Sequence, residues 1–129
     1  MYTLLIADDE PLIRNGVKKI IDWESLGFSE IFLAEDGQEA LDIFEQSREQ
    51  EIDLILMDIM MPVMDGLEAT RRIRTCTHPR GATVPIIAIS ANAFADDIQK
   101  AKNAGMNEHL AKPFEMEKVL RAISRYHKV

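Results

Sequence analysis

Short apolar runs alternate with amphipathic stretches along the whole chain. The first run, Leu4-Leu5-Ile6-Ala7, stops abruptly at Asp8-Asp9-Glu10. Pro11 suits a first helical position, where its missing N–H is no loss, and Ile13, Val17 and Ile20 follow at helical spacing. Ile31 to Ala34 reads as a second strand, ended by the turn signal Asp36-Gly37. Ala40, Leu41 and Phe44 give a second helix its apolar stripe. Ile52 to Met57, interrupted only by Asp53, predicts a third strand that ends at Asp58. A methionine-rich loop from Met60 to Gly66 leads into a third helix near Leu67 to Ile73.

The segment Thr75 to Val84 carries Pro79 and Gly81 and reads as a loop. Pro85 to Ile89 predicts a fourth strand ending at Ser90, followed by a fourth helix from about Phe94 to Ala104 with Gly105 as its stop. A short fifth strand around His109 to Ala111 meets Lys112-Pro113-Phe114. The last helix shows Met116, Val119, Leu120 and Ile123 at core spacing. Five strands alternating with five helices argue for an α/β fold with a parallel sheet covered on both faces. The almost wholly apolar strands agree, because a half-exposed sheet would alternate apolar and polar residues. Right-handed crossovers then give a doubly wound (βα)5 three-layer sandwich, a single domain over residues 1–129.

Composition narrows the class. The chain of 129 residues is 47% hydrophobic and 29% charged, ordinary for a globular protein. Its formal net charge is -7, which argues against non-specific nucleic-acid binding by this chain alone. The single cysteine, Cys76, cannot form an internal disulfide, and three scattered histidines leave no zinc-ligand spacing. No apolar run approaches the roughly 20 residues that span a bilayer. The expectation is a cytoplasmic protein with an inert Cys76, exposed His78 and His127, and methionines (Met57, Met60, Met61, Met64) that fill irregular space.

In a doubly wound fold, ligands bind at the carboxyl ends of the strands. Here those ends are Asp8-Asp9, Asp58, Ser90 and Lys112. Parallel strands bring them to one edge, although they lie far apart in sequence. Carboxylates about 4 Å apart at an effective dielectric of 20 repel by roughly 4 kcal/mol per pair. A hard divalent cation resolves that repulsion, and Mg²⁺ takes a few carboxylates while keeping several waters. Mg²⁺ beside a lysine and a hydroxyl is also what phosphoryl transfer requires. A carboxylate can be the nucleophile and form an acyl phosphate. Asp58, at the end of the central third strand, is the best-placed one.

At this point the chain resembles the receiver domains of two-component response regulators over essentially its whole length. The motifs that carry the resemblance are Ala7-Asp8-Asp9-Glu10-Pro11, the run from Leu56 through Asp58 and Met60 to Gly66, Ile89-Ser90-Ala91-Asn92-Ala93, and Lys112-Pro113-Phe114. Together, in this order, they are specific. The resemblance implies a flavodoxin-like sheet in the order 2-1-3-4-5. It implies that Asp58 accepts a phosphoryl group from a histidine kinase or a histidine phosphotransfer protein. Asp8, Asp9, Asp58 and the carbonyl of Met60 would hold Mg²⁺. Ser90 fills the switch hydroxyl position and Lys112 the phosphate-contacting position, with the Lys112–Pro113 bond cis as is usual in the family. Such a domain is a signalling phosphoacceptor that catalyses only its own phosphorylation and dephosphorylation.

One position departs from the commonest pattern of the family. Three residues before the lysine an aromatic often swings inward on activation, and here that residue is His109. Phosphorylation is expected to shift the face made by the fourth helix, fifth strand and fifth helix toward binding a partner or a second copy of the chain. Two other classes are weaker. An aspartyl phosphohydrolase would place two aspartates two apart after its first strand and carry a cap, whereas here Asp58 follows the third strand, the second residue on is Met60, and no segment is long enough to be a cap. A phosphorylation-independent binding module would have no use for the whole acidic, hydroxyl and lysine set. The stretch Ile21 to Phe28 resembles receivers joined to DNA-binding outputs, whereas Ile89 to Phe114 resembles those of hybrid histidine kinases. Both parent architectures stay open.

Overall fold

The structure, a computed structural model, describes residues 2–47, 51–91, 95–112 and 115–126. Strands β1 (Tyr2–Ala7), β2 (Phe28–Ala34), β3 (Leu54–Asp58), β4 (Ile86–Ser90) and β5 (Glu108–Ala111) form one parallel sheet in the order β2-β1-β3-β4-β5. Helices α1 (Pro11–Ile20), α2 (Gly37–Gln46), α3 (Gly66–Thr75), α4 (Ala95–Ala104) and α5 (Met116–Tyr126) alternate with the strands. The expected fold and strand order are those observed.

The central strands β1, β3 and β4 are apolar on both faces because both are covered. In β1, Leu4 and Ile6 join one buried cluster and Leu5 and Ala7 the other, and β3 and β4 divide in the same way. Phe44 and Ile73 seal one layer; Val17, Val119 and Ile123 seal the opposite one. Each fully buried aliphatic or aromatic side chain here contributes about 1.5–3 kcal/mol.

The helix starts set the loops of the sheet's carboxyl edge. Pro11 opens α1. Asp36 and Asp65 cap α2 and α3, accepting the Glu39 and Glu68 N–H groups at 2.8 Å each, an Asp-x-x-Glu arrangement that satisfies otherwise orphaned donors. Asp36-Gly37 is therefore a helix start as well as a turn. The Gly37 N–H donates to the Met64 oxygen at 2.9 Å, and a Cβ at Gly37 would lie 2.2 Å from that oxygen. The β2–α2 and β3–α3 loops meet there because residue 37 has no side chain.

Several expectations need correction. β2 begins at Phe28, three residues before the apolar run, and β3 runs from Leu54 through Asp58. His78 is buried rather than exposed: its ring packs 4.6 Å from that of Phe44, and its Nδ1 accepts the Arg80 N–H at 3.0 Å. Met60 does not fill space, since its side chain is 69% exposed, while Met57 and Met61 are buried. Arg14 is buried on α1 beside Val17, while Ile13 is partly buried against the same cluster. On α5, Val119, Ala122 and Ile123 are buried, and Met116 and Leu120 face outward. Cys76 donates to the Ile73 oxygen at 3.1 Å. The Lys112–Pro113 bond, Asn92 to Phe94, Phe114 and His127 lie outside the described residues.

Candidate functional site

The carboxyl edge of the sheet gathers one acidic cluster. One carboxylate oxygen from each of Asp8, Asp9, Glu10 and Asp58 lies within 4.8 Å of the others. Asp8 follows the end of β1, and Asp58 ends β3 beside it in the sheet. Both are buried, whereas Asp9 and Glu10 are exposed. The main chain shapes the site: the Glu10 N–H donates to Asp8 Oδ1 at 2.9 Å and the Met60 N–H to Asp58 Oδ1 at 3.2 Å.

Lys112 reaches this cluster from the end of β5. Its N–H donates to the Ser90 oxygen at 2.9 Å, which fixes the backbone from which the side chain extends. Its ammonium lies 2.9 Å from Asp8 Oδ2, 3.2 Å from Asp58 Oδ2 and 3.2 Å from Glu10 Oε1. Burial, and after it the Asp8 carboxylate, push the Asp58 carboxyl up to about 6, and the Lys112 charge offsets them only in part. Burial works against the Lys112 ammonium, but the hydrogen bond to Asp8 and the charges of Asp58 and Asp8 outweigh it and raise its pKa.

Four carboxyl groups thus face one ammonium. Asp8 Oδ2 is buried and, among the described residues, is met only by the Lys112 ammonium at 2.9 Å. A buried carboxylate oxygen left with coordinating capacity, in an all-oxygen cluster of excess negative charge, suits a hard divalent cation. The residues present fit Mg²⁺.

Asp8, Asp9, Asp58 and Lys112 are brought together as the strand-end pattern indicates. Met60 joins them through its main chain. Ser90 is buried at the end of β4, the strand next to Asp58, where Ile89 pairs with Asp58. His109 is not part of the cluster. It pairs with Ala88, two positions back from Ser90, and lines a groove of about 230 Å³ with Ile98, Ala101, Lys102 and Met106 between α4 and β5. Glu10, to which the strand-end pattern assigns no role, is also a member. Its signal is its place as a third consecutive carboxylate, within reach of the lysine.

Residues 4–124 match the response regulator receiver domain family. A probable histidine kinase 2 of Oryza sativa subsp. indica is 36% identical over 131 residues, covering 93% of this chain and 12% of the kinase. The response regulator MprA of Mycolicibacterium vanbaalenii is 32% identical over 117 residues, covering 91% of this chain and 46% of that protein. The chain therefore spans less than half the length of either relative. Among solved structures, it is similar to the receiver domain of the sensor histidine kinase PA1611 from Pseudomonas aeruginosa PAO1, which has a magnesium ion coordinated in its active site cleft. That similarity has a TM-score of 0.83 and 37% identity, covering 99% of this chain and 98% of the other. A chain of the CheX–CheY–BeF3–Mg complex from Borrelia burgdorferi matches with a TM-score of 0.83 and 27% identity, over 96% of this chain and 87% of that one.

Proposed function

This chain belongs to the response regulator receiver domain family, whose members are phosphoacceptors of two-component relays, and from that premise we propose that Asp58 is its phosphoacceptor. The observation that carries this reading is the Lys112 ammonium held between two buried carboxylates, 2.9 Å from Asp8 and 3.2 Å from Asp58. The donor is a phosphohistidine of a histidine kinase or phosphotransfer protein. An Asp58 carboxylate oxygen attacks phosphorus, the new P–O bond forms as the P–N bond breaks, and the electron pair returns to the imidazole nitrogen, which takes up a proton. Lys112 then moves its charge from the carboxylate pair to a phosphoryl oxygen, and the Ser90 hydroxyl donates to another.

Asp8, Asp9, Asp58 and the Met60 carbonyl would hold Mg²⁺. When bound, it neutralises the clustered carboxylates and the negative charge that gathers on the transferring oxygens. The raised Asp58 pKa has the same origin as the need for the cation, namely buried carboxylates crowded together. The protein acts as a signalling phosphoacceptor and not on a separate substrate, and dephosphorylation by water at the same site resets it. No helix among the described residues is long and apolar enough to cross a membrane.

The donor meets an apolar rim. Leu12 is 89% exposed, Val63 84% and Met60 69%, and these three belong to the segments that begin α1 and follow Asp58. Output lies on the other side. Ser90 moving toward the phosphoryl group shifts the population of the α4–β5 groove that His109 lines, and exposed Met116 and Leu120 on α5 extend that face toward a partner or a second copy of the chain.

Intact mass after incubation with acetyl phosphate and Mg²⁺ tests the reading. One added phosphoryl group, lost in Asp58→Asn and without Mg²⁺, is the expected result. No adduct, together with no binding of beryllofluoride, would overturn it in favour of a phosphorylation-independent binding module.

A further inference from the structure

We propose that Arg14 is a positioning residue for the divalent-cation site, acting through the main chain of Asp8; this rests on the reading of the acidic cluster given above. Arg14 occupies a position on α1 where the helical pattern calls for an apolar side chain, one turn before buried Val17, and it is itself only 9% exposed. Its Nη1 donates to the Asp8 carbonyl oxygen at 2.8 Å, a buried contact. Among the described residues, the only carboxylate within 4.0 Å of its guanidinium is that of Glu35, at 3.8 Å and 71% exposed.

A buried guanidinium is costly unless its charge and donors are used. Here its closest bond goes to a neutral carbonyl, and that carbonyl belongs to the residue whose carboxylate is the most deeply buried of the cluster. Three bonds then fix Asp8 from different sides. Its N–H donates to the Ala34 oxygen at 3.1 Å, its Oδ1 accepts the Glu10 N–H at 2.9 Å, and its carbonyl is held by Arg14. With the peptide so clamped, the Asp8 side chain has little freedom to follow a bound ion or to turn from it. Groups that orient metal ligands typically change metal affinity by about 10–100-fold when removed. The rigid fork of Arg suits this duty, because it can address Asp8 and Glu35 together; the point charge of Lys cannot.

Two roles for Arg14 predict opposite signs. As a cation acting only through space, it repels Mg²⁺, so its removal would tighten binding. As a positioning donor, its removal loosens binding. Calorimetric titration of Mg²⁺ into the full chain, Arg14→Met and Arg14→Lys, with urea midpoints measured alongside, separates them. Arg14→Met is expected to weaken Mg²⁺ binding by about tenfold, and Arg14→Lys by a smaller factor despite its retained charge. An Arg14→Met variant that binds as tightly as the parent, or more tightly, overturns the proposal. So does a lowered urea midpoint with unchanged Mg²⁺ affinity, which marks Arg14 as merely structural. Should Arg14→Met fail to fold, Arg14→Lys decides by the same comparison. A parent chain that binds no Mg²⁺ overturns the cation site itself, a result distinct from a binding parent with unaltered variants.

Discussion

A Cβ placed on Gly66 would stand 2.1 Å from the main-chain oxygen of Asp58. The candidate phosphoacceptor is thus backed directly by the first residue of α3, whose N–H also donates to the Ile59 oxygen at 2.9 Å. Gly66→Ala would have to displace rigid backbone, and overpacking of that kind costs about 1–3 kcal/mol. It should lower the urea-unfolding free energy by that amount and reduce the phosphorylated fraction. Gly16→Ala is the opposite case, because nothing lies within 4 Å of a Cβ in mid-α1. That variant should gain about 0.5–1 kcal/mol.

Lys112 is 11% exposed at its side chain and pairs with two buried carboxylates. Lys112→Met removes the only cation paired with Asp58 among the described residues and leaves Asp8 and Asp58 facing each other. Breaking a buried pair in this way costs about 3–5 kcal/mol, measured as a loss of stability without Mg²⁺. Added Mg²⁺ should restore much of it, while the yield of acyl phosphate stays low.

The pH dependence of the metal-free protein follows from Asp58. Its carboxyl is raised from 3.8 in the unfolded reference to about 6, so folding favours the protonated form. Its stabilising contribution is full below 3.8 and is lost as pH rises through 6. Asp58→Asn removes the charge that causes this loss. The variant's thermal midpoint should gain on the parent's between pH 4 and 6 and keep a constant lead above it, with Mg²⁺ shrinking the gap. A gap that narrows as pH rises would contradict the sign.

His78 is a test of separation between the two edges of the sheet. Its ring lies against Phe44, its Nδ1 accepts the Arg80 N–H, and its Nε2 is 3.3 Å from the Ser47 oxygen, all in or just beyond the last turns of α2 and α3. His78→Ala should cost about 2–3 kcal/mol by loss of packing and of two bonds. Phosphorylation by acetyl phosphate below the unfolding range should be unchanged, because the chemistry sits at the opposite edge.

The site was legible because apolar strands ended in chemically unusual residues and parallel pairing put those ends side by side. Asp8, Asp58 and Lys112 needed nothing more than that rule. What escaped the pattern was decided by distant parts of the chain. Thr77-His78-Pro79 has loop composition, and the imidazole is met by Phe44 and Ser47, about 30 residues earlier. Arg14 was masked by its own polarity, since period alone cannot show a guanidinium turned inward to a carbonyl. β2 began early because it is an edge strand whose Ser29 and Glu30 are exposed, so its start lacks the apolar signature of the central strands.

The strand order also sets when the site comes into being during synthesis. β1 lies between β2 and β3, and Leu4 pairs with Leu54, so the first strand waits some fifty residues for its second neighbour. Asp8 and Asp58 can then meet, but their shared cation arrives only with Lys112. A nascent chain shorter than that carries two clustered carboxylates with no lysine between them. On the reading proposed above, competence to accept a phosphoryl group therefore waits for the segment that carries Lys112, whatever the order in which the strands before it assemble.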